Sequence, residues 1–182
     1  MKKVIACVIL TAFLMTGCQS AVEEGTRQLE EHEYTDAVSS FKEALEKKKD
    51  VAEAYRGLGM VYYEQQDYQS ARDAFQQVLN NKGDATPALY NLMGICSMHM
   101  EDYHSALDAL SQGLALAAEQ ADDKDSGAQD VETLVQEMKF NEIVCYEKIL
   151  DWESAKQKMA EYASAYPDDK EAQKEAAFLK TR

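Results

Sequence analysis

Apolar side chains recur at helical spacing along most of this chain, and the pattern itself repeats. In the segment AEAYRGLGMVYYEQQDYQSARDAFQQVLNNKGDA, Ala52 to Ala85, the residues Tyr55, Leu58 and Tyr62 share one stripe and Ala71, Phe75 and Val78 another. Steps of three and four residues place such positions on one face of a helix. The segment predicts two helices, Ala52–Gln65 and Tyr68–Asn80, packed antiparallel about a short turn at Gln66-Asp67. Ala, Leu, Glu, Gln and Lys, all good helix formers, fill long stretches. Nowhere does an alternating Val/Ile/Thr run announce a strand. The expected fold class is all-α.

Shifting that segment by 34 residues toward the N-terminus lays Asp67-Tyr68 on Glu33-Tyr34, Ala71 on Ala37 and Phe75 on Phe41. A shift of 35 the other way lays it on Asp102-Tyr103, with Tyr55, Leu58 and Gly59 on Tyr90, Met93 and Gly94 and Ala71 on Ala106. A shift of 84 reaches Asp151-Trp152 and Ala155, and takes Gly83 to Pro167. A fixed period of this length is the mark of a helical array. The residues Tyr55, Leu58, Gly59, Tyr62, Ala71, Phe75 and Val78 stand where the tetratricopeptide repeat (TPR) wants them, and the chain resembles that family over nearly all of residues 18–182. The resemblance implies a right-handed superhelix of about four helix-turn-helix units, with repeats over about 18–51, 52–85, 87–120 and 136–169. A closing helix over 169–180 completes it, with Ala172, Ala176 and Leu179 on its inner stripe.

The outer repeats depart from the pattern. Repeat one has Glu24 and Gln28 where Leu and Tyr are wanted. Repeat four has Glu142 and Ile143 in place of Leu-Gly, which points to a shift in register of its first helix. Terminal repeats are commonly atypical, since one face has no neighbour. An acidic insert over 121–135 separates repeats three and four and reads as a loop flanked by lengthened helices. Asp123 and Asp125 have the Asp-x-Asp spacing of a calcium loop, but the glycine falls one place early and no closing Glu stands at the required position.

The N-terminus is of another kind. MKKVIACVILTAFLMTGC begins with two lysines, continues apolar from Val4 to Met15, and ends Thr16-Gly17-Cys18. The run is too short for a permanent membrane span and suits a secretory leader. Leu14 to Cys18 resembles the lipobox of bacterial lipoproteins, with Met15 a less usual choice than Leu. That resemblance implies a signal peptide over 1–17, cleavage before Cys18 and acylation of Cys18 as the lipid attachment point. It also implies export and anchoring to a bacterial membrane, at the outer leaflet of the cell membrane or, where two membranes exist, the outer membrane. Gln19, not being aspartate, permits outer-membrane delivery.

Charge narrows the partners. With 19 basic and 33 acidic residues the chain carries −14; loss of residues 1–17, which hold Lys2 and Lys3 and no acid, makes it −16. Such a surface repels nucleic acid. No nucleophile–base constellation, phosphate loop or zinc spacing stands out around His32, His99 and His104, so the expected protein is not an enzyme and needs no metal or cofactor. Cys96 and Cys145 hold the same place in their repeats and read as small buried apolar residues. Cys96, His99 and Met100 share a helical face with soft copper ligands; core or groove lining is the commoner use.

In TPR arrays the first helix of each unit lines a groove. The resemblance places Arg56, Met60 and Tyr63 there from repeat two, Asn91, Ile95 and Met98 from repeat three, and Phe140 and Val144 from repeat four. Repeat one adds Val22, Thr26 and Leu29. The set is apolar for a solvent-facing wall, which marks a binding surface. Arg56 and Asn91 suit a backbone or carboxylate, although the basic partners of a two-carboxylate chaperone clamp are missing. The expected function is a non-catalytic scaffold or adaptor of the bacterial envelope that binds a segment of another envelope protein. The alternative is a solute- or peptide-binding lipoprotein with a small-ligand pocket.

Overall fold

The computed structural model describes residues 20–121 and 128–182. Cys18, the leader and the Asp123/Asp125 pair lie outside the described residues. Within them the chain is helical and no strand occurs: α1 (Ala21–Glu30), α2 (Tyr34–Glu46), α3 (Val51–Glu64), α4 (Tyr68–Asn80), α5 (Pro87–His99), α6 (Tyr103–Ala121), α7 (Ala128–Lys148), α8 (Trp152–Ala165) and α9 (Lys170–Leu179). Successive helices pair as α1/α2, α3/α4, α5/α6 and α7/α8, and α9 docks on α8. Of the residues expected as a loop insert, 128–135 form the first turns of α7.

One local device makes every pair. His32, Gln66, Glu101 and Leu150 all take a left-handed backbone, with φ of 61°, 61°, 60° and 64°. The next residue's N–H then reaches back to the carbonyl of Gln28, Tyr62, Ser97 or Tyr146, at 2.7, 2.9, 2.9 and 2.9 Å. This six-to-one bond closes the helix and reverses the chain. The same next residue opens the second helix. Asp67, Asp102 and Asp151 each accept the backbone N–H three residues on, from Ser70 (3.2 Å), Ser105 (3.2 Å) and Ser154 (3.1 Å). Such caps satisfy a donor the helix leaves orphaned. Glu33, one methylene longer, makes no side-chain cap.

Packing is set by the turn. Ala37, Ala71, Ala106 and Ala155 are all fully buried at the pair crossing, and Phe41, Phe75, Leu110 and Met159 fill the space one turn on. A Cβ on Gly59 would lie 2.4 Å from the Phe75 ring, and one on Gly94 2.9 Å from Leu110. Phe41 touches both Gly25 of its own unit and Gly57 of the next, so one ring joins two units. The buried residues form four clusters along the array, and Tyr55 and Tyr62 pack against both of the first two.

Unit four corrects the expected register shift. The turn at Leu150 falls 84 residues after that at Gln66, so Ile143 occupies the place of Gly59 without slippage. Its side chain fits because the facing residue is Met159, slim and unbranched, where the other units carry Phe or Leu. Glu142, buried in the place of Leu58, is neutralised by Lys158 at 2.9 Å. Lys158 in turn stands at the place of Ala74.

Candidate functional site

The first helices α1 and α3 pack on one another, as do α5 and α7, and no pair of second helices does so comparably among the described residues. The array therefore bends with its first helices inside. The residues expected at the groove fall on first helices: Arg56, Met60 and Tyr63 on α3, Asn91, Ile95 and Met98 on α5, and Phe140 and Val144 on α7. Met60, Tyr63, Ile95, Met98, Phe140 and Val144 are each half-buried. Every one thus keeps a solvent-facing part beside a packed part.

Their roles differ. Met60 and Tyr63 rest on the cluster around Phe75 and Cys96. Tyr63 meets Tyr68 edge-on, with centroids 6.0 Å apart, and Tyr68 stacks on His99 at 4.0 Å and 3°. Burial pushes the Tyr63 hydroxyl pKa up, and the nearby Cys96, Tyr68, Glu137 and Glu64 push it the same way. Met98 packs onto the α6–α7 cluster of Leu110 and Met138, alongside Val131, Leu134 and Val135 from the start of α7. Phe140 meets Tyr162 edge-on at 5.5 Å.

The two polar members are less open than their spacing suggests. Arg56 bonds Glu53 (3.2 Å) and donates to the Asp84 carbonyl (3.2 Å), so its guanidinium ties α3 to the loop before α5. Asn91 is 4% exposed, and its Oδ1 is buried without a hydrogen-bond partner. Carboxylates Glu53, Glu64 and Glu137 stand exposed around the column.

Cys96 and Cys145 are fully buried free thiols. Burial pushes them up to about 11 and about 12. Thiols held protonated in this way are poor nucleophiles and ligands. Cys96 is sealed in the core while His99 is exposed on Tyr68, which separates the soft donors of that stretch. Among the described residues no three His, Cys, Asp or Glu gather as a metal site, and no helix is long and apolar enough to cross a membrane.

Spacing alone misses a second concavity on the opposite side of the array. It is a cleft of about 360 Å³ between α4, α5 and α6, lined among others by Arg72, Gln76, Met93, Ser97, Asp108 and Ala109. The signal for it is in the sequence: Ser97 stands where units two and four have Tyr62 and Tyr146.

Residues 22–88 match the tetratricopeptide repeat family. In solved structures, the chain is similar to YrrB, described as a TPR protein with an unusual peptide-binding site. That match has a TM-score of 0.69 and 21% identity and covers 87% of this chain and 74% of that one. The fold is the TPR fold. MamA shares it at a TM-score of 0.64 and 12% identity, over 87% of this chain and 78% of that one. A further match is the APC/C hetero-tetramer Cut9–Hcn1, at 0.60 and 17%, over 87% of this chain and 29% of that chain. No curated protein matches the sequence. The TPR geometry makes the inner wall of α3, α5 and α7 the concave face.

Proposed function

We propose that this chain is a non-catalytic interaction scaffold, anchored to a bacterial membrane through a lipid on Cys18, whose concave face holds a segment of another envelope protein. The observation that carries the reading is the column Met60, Tyr63, Ile95, Met98, Phe140 and Val144, six half-buried apolar side chains on three successive inner helices. Apolar side chains left part-exposed on successive helices mark partner sites, and methionines adapt to varied partners. YrrB, of similar fold, has a peptide-binding site. Glu53, Glu64 and Glu137 around the column favour an apolar segment flanked by Lys or Arg. Anchoring rests on the Leu14 to Cys18 signature and on the short spacer beyond it. Gln19 alone separates Cys18 from Ser20, the residue that caps α1. At roughly 3.3–3.6 Å per residue, the start of α1 stays within about 10 Å of the lipid-bearing residue.

The test is photo-crosslinking in cells from positions 95 and 144, with the exposed position 157 on the second helix α8, outside the concave face, as control. Adducts of one size are expected from the inner positions and none from the outer. Ile95→Glu with Val144→Glu should remove them while helicity and melting temperature stay unchanged. Labelled palmitate should enter the wild-type chain and not Cys18→Ala. Adducts that persist in the double variant, or form equally from position 157, would sink the concave-face reading; label retained in Cys18→Ala would sink the anchor.

A further inference from the structure

The outer cleft is independent of the concave face, and its origin can be read residue by residue. Tyr62, Ser97 and Tyr146 are equivalent: each lends its carbonyl to the same turn-closing N–H. In unit two, Tyr62 and Val38 of α2 both pack against a cluster that includes Leu58 of α3 and Ala74 of α4. In unit three the corresponding residues are Arg72, Met93 and Ala109, and the ring is replaced by Ser97. Ser97 thus leaves out the ring, and the Arg72 guanidinium reaches toward its hydroxyl from one side of the space that remains. About 360 Å³ is left between α4, α5 and α6.

The walls say what fits. Met93 and Ala109, both nearly buried, make an apolar floor. The Ser97 hydroxyl, 1% exposed, accepts from the Arg72 guanidinium at 3.4 Å. Arg72, on the lining of the cleft, is paired with Asp102 at 3.0 Å. Guanidinium planes stack on aromatic faces. The charge of Arg72 is already neutralised by Asp102, and Asp73 and Asp108 also line the cleft, so an anion is disfavoured. Asp108 and Gln76 offer acceptors for a hydroxyl at the mouth.

We infer that this cleft is a second binding site, one that takes a phenolic ring presented as a tyrosine side chain by a partner polypeptide. The ring replaces the tyrosine that units two and four supply for themselves. Bound there, it lies on Met93 and Ala109, stacks against Arg72 and turns its hydroxyl toward Asp108.

The probe is N-acetyltyrosinamide, titrated into the full chain in nanodiscs with methyl-labelled methionine. The Met93 methyl reports the cleft and the Met60 methyl the concave face. A saturable shift of Met93 is expected with Met60 unmoved. N-acetylphenylalaninamide, lacking the hydroxyl, should bind less tightly. Ser97→Tyr fills the place from within and should raise the dissociation constant by at least about tenfold. Gln76→Phe, on the exposed side of α4, should do likewise without touching the core, which keeps the test valid if Ser97→Tyr folds poorly. A Met93 signal that never moves overturns the inference, as does one that moves equally in both variants. Free p-cresol binding tightly while the tyrosinamide does not would overturn the partner as the source of the ring and leave a small-phenol site.

Discussion

At the scale of single residues, the array is a set of paired choices across a crossing. Gly59 faces Phe75 and Gly94 faces Leu110, while Ile143 faces Met159. The first helix gives up a side chain where the second supplies a bulky one, and keeps it where the second supplies a thin one. Gly59→Ala should therefore destabilise unit two by about 1–3 kcal/mol, the usual range for overpacking a filled core. Phe75→Met alone should also destabilise. Combined, the two should cost clearly less than their sum, because the pair then approaches the unit-four solution. Urea denaturation of the four corners of this cycle measures the coupling. Strict additivity would show that ring and glycine do not compete for one space. The sequence makes Gly59 and Phe75 legible through their spacing. It hides unit four, because Glu142 and Ile143 make sense only beside Lys158 and Met159, which lie 16 residues on and on another helix.

At the scale of elements, turns and caps are the most legible feature, since Asp67, Asp102 and Asp151 each precede a serine by three residues and each accepts its N–H. The inner wall is legible in place but not in environment. Met98 shares its cluster with Val131, Leu134 and Val135 from the start of α7, which belongs to the lengthened α6–α7 connection and not to the repeat pattern. Docking of α9 carries a pH dependence that no spacing reveals. Glu147 of α7 is driven by burial, and then by Glu175 of α9, from 4.5 up to about 7, and its buried Oε1 has no partner. A carboxyl whose folded pKa is raised favours the fold while protonated. That contribution is complete below pH 4.5 and is lost as pH rises through about 7. The protein should therefore melt at a lower temperature at pH 8 than at pH 5.5. Glu147→Gln, neutral throughout, should flatten this difference and melt higher than wild type at pH 8. Calorimetry at the two pH values decides it, and an unchanged slope in the variant would remove Glu147 as the source. On the acid side, Asp102 and Asp151 act with the opposite sign. Bonds from Ser105 and Ser154 hold their carboxyls below the usual range, so they add stability above it that is lost as acid protonates them.

At the scale of the whole molecule, stability in a TPR array is close to a sum over units and their interfaces. Its last interface is made by α9 alone. Ala172 and Leu179 cover Ile143, Met159 and Tyr162, and Asp169 accepts from the Tyr162 hydroxyl at 2.7 Å. A chain ending at Tyr166 loses this cover and leaves an apolar face open to water. Neighbour-only coupling then dictates where the damage goes. Hydrogen exchange in α7 and α8 should quicken by at least about tenfold, equivalent to ~1.4 kcal/mol of lost local stability. Exchange in α3 and α4, two interfaces away, should hardly change. A uniform loss of protection would mean that the units unfold as one cooperative body. The distinction bears on the proposed scaffold. If units respond separately, a partner seated on α3, α5 and α7 stabilises the units it spans together, and the first unit stays ordered whether or not the far end is occupied.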